Sequence, residues 1–92
     1  MSSIAGIKTV TNTAAAVFAG SSALANRIQV VVHNLDDVMP IVIGPTLSSG
    51  TVYGITVEAG EKERFNLLAS ETRVIYAQSQ GRSVSVEVIE TA

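Results

Sequence analysis

His33 is the chain's single histidine, and Asp36 and Asp37 follow it within four residues. An imidazole beside carboxylates can act as a general base or bind a metal if the fold brings a partner to it. A turn falls between these residues, so His33 reads instead as a strand-end side chain. Glu58, Glu61 and Glu63 form a second carboxylate group. Paired carboxylates do acid–base work when held in a cleft. Here Lys62 and Arg64 alternate with them, and ion pairing on a solvated strand accounts for the pattern. Asp36-Asp37 lacks the D-x-[DN]-x-[DN]-G spacing of a calcium loop. There is no G-x-S-x-G and no P-loop. Gly44, Gly50, Gly54 and Gly60 are spaced for turns, with no helix following them to cradle a phosphate. Ser48-Ser49 has no His or Lys near it in sequence. The expectation is that the chain has no catalytic residues, no bound metal and no cofactor, and is not an enzyme.

The overall balance of charge excludes more. Six Lys and Arg stand against eight Asp and Glu, a net charge of −2. Arg27, Arg64, Arg73 and Arg82 are scattered and read as solvated strand ends. Nucleic-acid readers cluster basic residues among exposed aromatics, so no nucleic-acid partner is expected. Without Cys, neither disulfides nor thiolate metal sites can form. The start of the chain lacks a basic region followed by an apolar core, and Ala14–Ala19 is too short to span a bilayer. No membrane partner is expected, and assembly in a cytoplasm is.

The elements that would position any site read as strands. Val and Ile together number 21 against five Leu, and branching at Cβ suits a pleated surface. Residues 4–11 read as a strand that Gly6 confines to an edge or an arm. Residues 13–19 fit either a short helix capped by Thr13 or a strand, and six unsupported residues favour the strand. In residues 26–34, Ile28, Val30 and Val32 share one face, and Arg27, Gln29, Val31 and His33 the other. Asn34-Leu35-Asp36-Asp37 is a turn, and the run Val38–Ile43 after it suggests an antiparallel hairpin. Pro40 lacks an N–H for the ladder and must lie at the start or on an edge. Residues 44–51 read as loop, 52–57 as a weak strand bent at Gly54, and 61–67 as a strand entering the core. Residues 69–72 read as a turn, 73–77 as a strand, 78–81 as a turn, and 83–90 as a strictly alternating strand through Val88. The predicted core is Ile28, Val30, Val32, Ile41, Ile43, Phe65, Leu67, Val74, Tyr76, Val84, Val86 and Val88.

Short strands with a turn every 8–12 residues predict an all-β fold, a small antiparallel β-sandwich or jelly-roll-like barrel with an extended N-terminal segment. Residues 1–12 would form an arm or edge strand, and residues 13–92 the sandwich domain. A chain of 92 residues buries only about 60–65% of its unfolded surface, which favours association. Apolar residues left over by the core point the same way. Ile4, Ile7, Val10, Val17, Phe18, Val31, Val42, Ile75 and Ile89 are the candidate interface residues.

The order of these segments resembles a family of small tailed-phage virion proteins, over roughly residues 9–90. The matching motifs are the strand Arg27–Leu35, the apolar strand Ile41-Val42-Ile43-Gly44 and the polar loop Thr46–Thr51. The turn Glu58–Glu61 and the strands Val74–Ala77 and Val84–Val88 complete the match. Pro45 departs from the small or polar residue usual after that glycine, and the loop is not rich in Asn. The resemblance implies a structural virion protein, with capsid decoration the leading role and head-fibre or tail attachment the others. It implies major capsid protein or other virion proteins as partners and a homo-oligomer, with a trimer on a capsid three-fold site favoured. The alternative is a tail- or fibre-associated module that recognises a receptor or glycan. Sugar platforms want exposed Trp or Tyr; there is no Trp, and Tyr53 is the one Tyr expected in a loop.

Overall fold

A computed structural model describes residues 2–67 and 73–92. Among the described residues the chain is all-β, with eight strands: β1 Ser3–Val10, β2 Ala15–Ala16, β3 Gln29–Asn34, β4 Ile41–Ser48, β5 Thr51–Val57, β6 Lys62–Asn66, β7 Tyr76–Ser79 and β8 Val84–Thr91. They form two four-stranded antiparallel sheets, ordered β1-β8-β3-β6 and β2-β7-β4-β5. The logic of this order shows when the chain is folded in half at the β4–β5 turn. β4 then pairs with β5, β3 with β6, β2 with β7 and β1 with β8, and successive pairs alternate between the sheets. A double ribbon rolled up in this way is the eight-stranded jelly roll.

The core lies between the sheets. Val30, Val32, Val84, Val86 and Val88 line it from the first sheet, and Ile41, Ile43, Val57 and Ala77 from the second. Val10, Val17, Ala19, Leu67 and Ile75 close its margins. Period-two alternation in β8 is enough to place its three valines, because a one-residue slip would expose all of them.

Several expectations need correcting. The runs 26–34 and 38–43 do not form a hairpin; β3 and β4 lie in different sheets. The Asn34–Asp37 turn therefore carries the chain from one sheet to the other. Residues 44–48 continue β4 rather than forming a loop. Pro45 fits there because the β4–β5 register breaks between Ile43 and Thr46, so that Gly44 and Pro45 lie opposite Gly54 in a bulge. At that crossing a Cβ on Gly54 would overlap the Ile43 carbonyl, so the strands approach this closely only with glycine. Ser49 and Gly50 both take positive φ, the geometry of a tight two-residue hairpin turn.

The 73–77 segment turns the other way from its predicted orientation. Ile75 and Ala77 are buried, whereas Val74 and Tyr76 are only half-buried. Apolar residues of both parities left the choice to pairing: Ala77 sits between Ala15 and Ile43, and Ile75 follows it inward. Ile28 is exposed rather than core, since the inward alternation of β3 does not extend back to it and Arg27 is buried instead. Phe65 packs on the core from its rim. Residues 3–10 form an edge strand paired along its whole length with β8. The turn expected at residues 69–72 lies outside the described residues.

Candidate functional site

The antiparallel registers define the outer face of the first sheet row by row. Ala5, Ile89, Val31 and Arg64 form one row, and Ile7, Glu87, His33 and Lys62 the next. The middle of this face is apolar, its β6 side is basic, and Glu87 supplies the opposite charge. Gln29, Val31, His33, Glu87 and Ile89, with Lys62, Glu63 and Arg64 from β6, line a shallow groove of about 530 Å³ there. His33 Nε2 lies 3.2 Å from the Gly60 carbonyl oxygen.

Of the nine candidate interface residues, Ile7, Val31 and Ile89 meet on this face. Val42 faces outward from the second sheet, half-buried beside Thr56 and Gln78. Ile4 lies on the inner side of β1, partly exposed and facing Gly20. Phe18 is half-buried, with the Arg27 guanidinium 5.8 Å from its ring centroid. Val10, Val17 and Ile75 are core residues at 3%, 5% and 0% exposure, which corrects their assignment to a surface. All three belong to the buried core cluster, Ile75 because its strand faces inward with the opposite parity to that predicted.

Asp36, one of the two carboxylates that follow His33 in sequence, is engaged in structure. Asp36 does not join His33. Its carboxylate accepts from both Arg82 guanidinium nitrogens at 2.8 Å and from the amides of Val38 and Met39 at 2.9 and 2.7 Å. The Arg82 hydrogen bonds, followed by the two amides, hold its carboxyl well below the usual carboxylate range. A depressed carboxyl stabilises the fold above its unfolded pKa of about 3.9, and that contribution fades as acid approaches the folded value. Arg82→Ala is therefore expected to lower stability at pH 6 and to narrow its deficit relative to wild type towards pH 2, in paired urea titrations. Among the described residues, no three His, Asp or Glu side chains are placed to hold a metal ion.

Two buried polar centres escaped the sequence reading. Arg27 and Glu90, 3% and 0% exposed, form an ion pair at 2.6 Å. Glu90 also accepts from the amides of Ala19 and Leu24, while Arg27 donates to the Arg73 carbonyl at 2.6 Å. Together they fasten the long β2–β3 connection to β8. The missed signal was parity: Glu90 continues the inward series Val84, Val86, Val88. The second centre is Asn34, whose amide donates to the carbonyls of Met39 and Val57 at 2.9 and 3.1 Å and whose Oδ1 accepts from Asp36 N. It ties β3 to the opposite sheet where the chain crosses.

Apart from the first-sheet face, the β4–β5 hairpin presents exposed Leu47, Tyr53 and Ile55. Comparison with protein-family models, with curated proteins and with solved structures finds no match to this chain.

Proposed function

We propose that this chain is a structural virion protein of a tailed bacteriophage, a capsid decoration protein that binds the assembled shell. The observation that carries this reading is the outer face of the first sheet, with an apolar middle at Val31 and Ile89 and charge at its margins. An apolar patch rimmed by polar residues marks protein contacts. The resemblance of the strand motifs supplies the kind of partner, and the jelly roll adds an analogy, since viral capsid domains also use it. A protein that binds only the assembled shell stabilises that shell by mass action, and multiple copies sum weak contacts through avidity.

Binding in trans tests the reading. Shells assembled without this protein are expected to take it up saturably, and Ile89→Glu is expected to weaken uptake by at least about tenfold, the cost of a lost central contact. Equal uptake of both proteins, or none, counts against it. The second reading, a receptor- or glycan-binding module, is favoured by one observation: Tyr53 stands 57% exposed on the β4–β5 hairpin. Saturable glycan binding abolished by Tyr53→Ala would select that reading.

A further inference from the structure

Four strands end the two sheets, and three of them carry features that discourage a further strand. β2 has only two residues, β5 is interrupted at Gly54 where the β4 bulge breaks its register, and β6 reads Lys62-Glu63-Arg64 along its exposed edge. β1 has none of these protections. It runs eight residues in unbroken register, has no Pro, and carries one charge, Lys8, whose Nζ turns inward onto the Gly20 carbonyl at 2.8 Å. The ladder gives the direction of its free backbone groups. Ser2 and Ala92 exchange both amide bonds, so even-numbered residues bond to β8. Ser3, Ala5, Ile7 and Thr9 therefore point their N–H and C=O groups to the open side, and the Ile7 side chain is 63% exposed.

We propose that β1 is the docking edge for the β1 strand of a second copy of this chain, paired antiparallel across a two-fold axis into one continuous eight-stranded sheet. A second copy fits because the edge is complementary to itself. The outward residues centre on Gly6, so an axis there pairs Ser3 with the partner's Thr9 and Ala5 with the partner's Ile7, using every free group on both strands. Lys8 falls opposite the partner's Ile4, and no like charges meet. The same operation on β6, whose outward residues Lys62, Arg64 and Asn66 centre on Arg64, would set two arginines against each other. Pairing at β1 also brings the two Val31–Ile89 bands together across Ala5 and Ile7. This replaces the three-fold association that the resemblance implies, and it does not depend on the shell as partner.

Sedimentation velocity from about 1 to 500 µM, which spans micromolar dissociation constants, tests the pairing. Wild type is expected to reach a two-chain mass. Ile7→Pro removes one outward N–H without touching a bond to β8, and is expected to weaken dimerisation by at least about tenfold while the far-UV spectrum is kept. A side-chain route covers misfolding of the proline variant. Ala5→Lys/Ile7→Lys is expected to be monomeric alone and to form two-chain species when mixed with Ala5→Glu/Ile7→Glu. A single-chain mass at the highest concentration, a three-chain mass, or a dimer unaffected by these substitutions overturns the proposal.

Discussion

Arg27→Ala is expected to cost about 3–5 kcal/mol of folding stability, because it leaves the fully buried Glu90 carboxylate without its cation. Total stability for a domain of this size is about 5–15 kcal/mol, so the loss is a large share of it. The partner variant Glu90→Ala strands the guanidinium and removes the acceptor for the Ala19 and Leu24 amides, and is expected to be at least as damaging. The double variant is expected to fall short of the sum of the two single losses, since each single change already breaks the pair. Urea denaturation of the four proteins gives the coupling directly. Additive losses would mean that the pair contributes little and that the β2–β3 connection is held by its apolar contacts alone.

Asn34→Leu is the second large effect. The substitution keeps the volume but leaves the Met39 and Val57 carbonyls and the Asp36 amide without their side-chain partner. Each buried group left unsatisfied costs about 1–3 kcal/mol, and two of the three are only part-buried and lie at the low end, so a loss of about 3–5 kcal/mol is expected from chemical denaturation. Because Asn34 links β3 to β5, hydrogen exchange is expected to speed up at Val57 and in the 35–39 turn before the β1–β8 ladder is affected. Uniform acceleration everywhere would argue that Asn34 is a general core residue rather than a tie between the sheets.

The same two residues show how far the sequence could be read. Period-two alternation placed Val30, Val32, Val84, Val86 and Val88 in the core and predicted an all-β sandwich, because burial of one face enforces that pattern locally. Pairing partners were not legible in the same way. The run after Asn34 looks like the return strand of a hairpin, but Asn34 spends its amide across the gap and the chain changes sheets. Arg27 looked like a solvated strand end because its neutralising carboxylate lies 63 residues away. Val10 and Val17 looked outward-facing because strand patterning alone did not place their segments against the core, and Ile75 did because its strand carries apolar residues of both parities. The outer-face cluster of Ile7, Val31 and Ile89 was visible residue by residue, but only the β1-β8-β3 pairing brings the three together.

The proposed virion role is tested most directly by quantitative mass spectrometry and electron cryo-imaging of tailed-phage particles purified from the source of this sequence. Many copies per particle are expected, with density for a two-sheet roll on the outer surface of the shell. Particles that lack the chain, or that carry it only on the tail, would contradict it.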